Sequence, residues 1–81
     1  MGVTEDLADA LARDAIEAAE AMDDDLLIDQ IAKVLGDSST TTQEAFLTAV
    51  RVRKSEKRAR AYLENKIATA LEAAKSSGQN G

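Results

Sequence analysis

The chain has 81 residues, room for one domain with a modest core, and a formal charge of −5 with 31% charged residues. It has no cysteine and no histidine, which excludes disulfides, thiolate chemistry and cysteine-based zinc sites and leaves a poor inventory for catalysis. No apolar run approaches the roughly 18 residues of a membrane span, and the N-terminus "MGVTEDLADA" lacks a basic region followed by an apolar one. The sequence therefore reads as a soluble, cytoplasmic protein with no membrane partner.

Proline is absent and apolar residues recur at spacings of three and four, the period that places side chains on one face of a helix. Aromatics are 2% of the chain, so the core must come from Leu, Ile, Val and Ala. The expected fold is all-α: a helical hairpin packed on a long C-terminal helix, a three-helix bundle that assembles as a dimer. Helix 1 is expected over about 4–22, with Thr4 as N-cap, Glu5 and Asp6 at the positive end of the helix dipole, and a seam of Leu7, Leu11, Ala15, Ala18 and Met22. Helix 2 is expected over about 25–35, opening at an aspartate of "MDDDLLID", burying Leu27, Ile28, Ile31, Val34 and Leu35, and closed by Gly36 in the left-handed conformation.

Helix 3 is expected over about 41–75, with Thr41 and Glu44 at the separation of a capping box and Thr40 with Gln43 as the alternative frame. Such a helix is about 50 Å long, so helices 1 and 2 are expected to lie along it in series. A break near Ser55 is the alternative to a continuous helix. On a helical wheel Ala45, Ala49, Val52, Glu56, Ala59, Leu63, Ile67, Ala70 and Ala74 fall on one narrow stripe, heptad-like except for one extra step between Ala59 and Ile67. Phe46, Leu47 and Val50 widen the apolar surface near the helix start and are the expected self-association residues. Residues 76–81, "SSGQNG", read as a disordered tail.

Charge is divided unevenly along the chain. Residues 1–37 hold eleven acids against Arg13 and Lys33, net −9, and residues 38–81 hold eight bases against four acids, net +4. This division predicts that the halves attract each other or a second copy. The densest basic stretch, "RVRKSEKRAR", holds Arg51, Arg53, Lys54, Lys57, Arg58 and Arg60, all off the apolar stripe, and these are the expected contacts to a protein partner with an acidic surface. Glu56 is the one charge on the stripe, either an edge residue paired with Arg60 or a polar register contact between helices.

The segment "IAKVLGDSSTTTQEAF" resembles the helix-turn-helix pattern, with Gly36 and Ser38 in the turn and Thr41, Gln43 and Glu44 where base-reading side chains would sit. That resemblance implies a DNA-binding regulator. Asp37 and Thr42 stand where the pattern wants apolar residues, and Asp29, Asp37 and the "DDD" run would face phosphate, so a capped corner is the favoured reading and nucleic acid is not the favoured partner. Asp23, Asp24, Asp25 and Asp29 lack the central glycine and terminal glutamate of a calcium loop and are read as capping residues, and no cofactor is expected. The expectation is a non-enzymatic regulatory or adaptor protein acting through helix-helix contact.

Overall fold

A computed structural model describes residues 2–80, with side chains as far as Ser76. Three helices follow in order, α1 (Val3–Met22), α2 (Leu27–Ser38) and α3 (Thr40–Asn80), with no strand among the described residues. The molecule measures 65 × 30 × 13 Å. Its long dimension is that of α3, whose 41 residues rise about 61 Å as one unbroken helix through Ser55. The helix passes Lys75, where the sequence suggested an end, so the backbone of 76–80 continues it; Gly81 of the expected tail lies outside the described residues.

The local boundaries show which polar groups win each helix end. Gly2, not Thr4, precedes α1: its backbone is extended and its carbonyl accepts the Asp6 N–H at 3.0 Å. At the other end Asp23 takes the left-handed conformation (φ 52, ψ 46), a region aspartate enters more readily than most residues. Its N–H donates to Glu20 O, and the Asp24 N–H donates to Ala19 O at 2.9 Å, closing α1. The Asp24 carboxylate then accepts the Leu26 N–H at 3.0 Å. The acidic run thus ends α1 and shapes the turn, and α2 opens at Leu27, later than expected.

Gly36 does not close α2. The helix runs through it to Ser38, and the chain has no glycine at positive φ among the described residues. Instead the Gln43 side chain crosses from α3, over Gly36, and its Nε2 donates to the Ala32 carbonyl at 3.0 Å. A Cβ on Gly36 would lie 2.8 Å from Gln43 Cδ, so the missing side chain is the space the amide occupies. Ser39 alone joins α2 to α3: it is extended, its Oγ accepts the Thr42 N–H at 3.1 Å, and its carbonyl accepts the Gln43 N–H. The cap therefore lies one residue before the Thr40 frame and two before the Thr41 frame. Gly36→Ala in the native chain should change stability little, because displacing Gln43 costs about 1 kcal/mol while alanine gains a similar amount of helix propensity. In a Gln43→Ala background the same change should stabilise by about 0.5–1 kcal/mol. Urea melts of the four variants measure this coupling, and additive effects would remove Gln43 as the reason for the glycine.

The core is small and built around one ring. Ala8, Ala12 and Ala15 of α1, Ala32 of α2, and Phe46 and Val50 of α3 are buried, with Leu11, Ile16, Ile28, Ile31, Leu35, Ala45, Leu47 and Ala49 packed on them in part. The face α1 buries is thus its alanine line; of the expected seam Ala15 is buried and Leu11 and Ala18 are half-buried, while Leu7 and Met22 are 65% and 62% exposed. Alanines let the α1 axis approach α3 closely while the Phe46 ring fills the space between the three helices. Phe46 and Val50, expected to bind a second copy, are enclosed within the protomer, and Leu47 is half-buried beside them, so self-association through these three is not available.

Helices α1 and α2 do not lie in series along α3. The turn at Asp23 and the Gln43 to Ala32 bond fold α2 back, so both short helices cover the same first turns of α3 and touch each other only lightly. The cover ends near Lys57. Every residue from Lys54 to Ser76 is exposed, and the final part of α3 projects as an overhang.

Candidate interaction surface

The six bases of "RVRKSEKRAR" divide between two flanks of α3. Arg53 turns toward α1 and holds Asp9 with a two-point contact, Nε to Oδ1 at 2.7 Å and Nη2 to Oδ2 at 2.8 Å. Lys57 reaches Glu20 at 2.7 Å on the same flank, and Arg60 pairs with Glu56 one turn before it at 2.6 Å. These three pair with the protomer's own charges, and Lys57 and Arg60 remain exposed while doing so. Arg51 and Arg58 fall on the other flank, while Lys54 lines an open pocket with Ile16, Glu20, Asp23 and Asp24; none of the three has an ion pair among the described residues.

The pairing of Arg53 with Asp9 leaves an electrostatic mark. The guanidinium hydrogen bond, helped by the charges of Arg53 and Arg13, holds the Asp9 carboxyl below the usual aspartate range against a smaller opposing effect of burial. The same bond holds Arg53 in its charged form to higher pH. Because the folded-state value of Asp9 is depressed, its stabilising effect is complete above the ordinary carboxylate range and fades as pH falls through the folded-state value. The Asp9 carboxyl followed by NMR should titrate below an unstructured aspartate, and Arg53→Ala should move its midpoint up. A midpoint that ignores Arg53 would refute the assignment.

Between α1 and α3 runs an open groove in two connected parts. The first, about 490 Å³, is floored by Ala45, Ala49 and Val52 and edged by Glu5, Asp9 and Glu44. The second, about 530 Å³, continues over Val52 and Ile16 to Glu56, edged by Arg13, Glu17 and Glu20. It mixes both signs of charge over an apolar floor and offers no enclosed pocket for chemistry. Val52, in its floor, is 61% exposed.

Past this groove the overhang carries Tyr62, Leu63, Ile67 and Leu71, each half to two-thirds exposed, with Lys66 Nζ 5.9 Å from the Tyr62 ring. The sequence marks the stripe to which Leu63 and Ile67 belong, but not that α1 and α2 leave it bare. Asp9 and Glu20, missed as site residues, lie 44 and 37 positions from their partners; the opposed charge of the two halves is the only signal they leave in the sequence.

The residues of the helix-turn-helix reading do not act together. Thr41 and Glu44 are exposed, but Gln43 is half-buried and committed to Ala32, and one residue joins the helices where that motif has a turn of three or four. The acidic run gathers no group of ligands fit for a metal ion among the described residues. No helix among the described residues is long and apolar enough to cross a membrane. No family model, curated protein or solved structure matches the chain.

Proposed function

We propose that this chain is a small non-enzymatic regulatory or adaptor protein of the cytoplasm that binds other helices through α3 and meets an acidic protein surface with Arg51, Lys54 and Arg58. The observation that carries the reading is the bare overhang: about two dozen residues of helix with Tyr62, Leu63, Ile67 and Leu71 exposed and no neighbour in the protomer. A lone helix of that length is marginal in water and gains its stability by burying an apolar face. The three bases, which have no ion pair among the described residues, lie off the Leu63 and Ile67 stripe and give a partner's acids a second surface to approach.

A DNA-reading role is displaced by the engagement of Gln43 and by the acids around the corner, so duplex binding should be weak, independent of sequence and lost near physiological salt. The positive test replaces Arg51, Lys54 and Arg58 with glutamate and compares proteins retained at low salt by the native and altered chains. Acidic partners should be lost while the helical circular dichroism spectrum is unchanged, since none of the three is used in the fold. Retention of the same partners by the altered chain would sink the reading.

A further inference from the structure

Eight of the nine stripe residues on α3 are related by a two-fold. Ala45, Ala49, Val52 and Glu56 step by four, three and four, and so do Leu63, Ile67, Ala70 and Ala74. Read from the C-terminal end, these steps are the same, and Ala59 alone falls opposite Arg60, which is off the stripe. A two-fold axis between residues 59 and 60 therefore lays the two halves on each other antiparallel, with Ala45 facing Ala74, Ala49 facing Ala70, Val52 facing Ile67 and Glu56 facing Leu63.

We propose that the surface left open on α3 is filled by a second copy of this chain, laid antiparallel so that the overhang of each α3 occupies the groove between α1 and α3 of the other. This deepens the preceding reading, on which it rests, by naming the helix that binds the stripe. Three observations carry it beyond the apolar face. The first is fit: the half of the stripe that floors the groove, Ala45, Ala49 and Val52, is the half that the overhang's Ala74, Ala70 and Ile67 meet in this register. Small residues face small residues at the outer layers, and two exposed branched side chains, Val52 at 61% and Ile67 at 50%, face each other nearer the centre.

The second observation is charge. The overhang flank that turns toward α1 of the other copy carries Arg60, Glu64 and Lys75. In the same register these stand beside Glu17, Arg13 and Glu5 on the groove wall, so each base meets an acid and each acid a base. Near the axis the two Glu56–Arg60 pairs come within about one helical turn of each other, which makes Glu56 a register contact rather than a defect in the stripe. The third is reach. The covered part of α3, 40–57, and the overhang, 58–80, are of similar length, so each overhang spans the other's groove, and both grooves fill at once. Arg51 and Arg58 stay on the outer flank of the dimer, and Lys54 stands at the groove's edge.

The register gives a test that neither a monomer nor a parallel dimer passes. The native chain should sediment as a dimer at micromolar concentration. Val52→Glu and Ile67→Lys, both at exposed positions of the protomer, should each weaken self-association by about 100-fold or more with the helical spectrum retained. Mixed together, the two variants should recover a dimer, because each heterodimer sets one glutamate against one lysine and keeps one native Val52–Ile67 contact. As a second measurement, Ala45→Cys and Ala74→Cys chains should form a disulfide with each other on mild oxidation, while neither links to itself. A native chain that stays monomeric at about 100 μM, a mixture that stays monomeric, or Ala45→Cys chains that link to themselves would each overturn the proposal. Loss of acidic partners on reversing Arg51, Lys54 and Arg58 is scored separately, so a failed dimer and a failed basic surface give different results.

Discussion

Phe46→Ala should cost about 3–5 kcal/mol, the usual range for removing a buried aromatic side chain, and should lower the unfolding midpoint sharply. A domain of this length has about 4–12 kcal/mol in total at typical per-residue stability, so one such loss is a large share of it. The size of the effect follows from what surrounds the ring. Phe46 is wholly enclosed and is the one large side chain among the described residues to be so, and the buried residues around it are Ala8, Ala12, Ala15, Ala32 and Val50. Alanines are fixed to their backbones and cannot turn into the vacated space, so the cavity persists unless whole helices move. Phe46→Leu should cost far less, because most of the volume is kept. Equilibrium unfolding in urea at fixed protein concentration reads both values. An alanine variant with a native midpoint would show that the ring is not the centre of the core.

The reverse change, adding volume, should be nearly as damaging at Ala12. This residue has no exposed surface and sits in the α1 line that lies against α3. Leucine there has nowhere to go without lifting α1, and the lift also stretches the Arg53–Asp9 and Lys57–Glu20 pairs that lie along the same contact. Ala12→Leu should therefore cost about 2–3 kcal/mol despite leucine being a good helix former. Ala21→Leu, at an exposed position of the same helix, is the control and should change the melting midpoint little. If both substitutions behave alike, α1 is not held by close approach of its alanine face.

These two residues also mark where the sequence could be read and where it could not. Three helices without strands are legible from the apolar period and the absence of proline, since both signals are local. Which face of each helix is buried is not local. On α3 the wheel favours the long stripe from Ala45 to Ala74, while the protomer core forms on the face of Phe46 and Val50, turned about a quarter of the circumference away. Alanine appears on nearly every side of α1 and α3, so size, which decides packing, differs little from face to face; Phe46 is the exception that sets the choice. Gly36 misled for a related reason. A glycine two residues before a serine-threonine run looks like a helix closure, and only the distant Gln43 reveals that the missing Cβ makes room for an amide. The basic cluster was legible as a cluster, but its division into paired and free bases depends on Asp9 and Glu20, which the fold brings from the first helix.

The span between those partners has a consequence for how the protein comes into being. Gln43 and Ala32 are 11 residues apart, so the α2–α3 corner can assemble as soon as it is made, whereas the contacts that hold α1 close loops of 37 and 44 residues. Translation delivers these in the awkward order. At about 5–20 residues per second, Arg53 follows Asp9 by roughly 2–9 s, and through that interval α1 waits as a short, strongly acidic segment with nothing to lie against. Its acids keep that segment solvated in the meantime, and the alanine face stays vacant until the Phe46 ring and the bases beyond it are made to claim it.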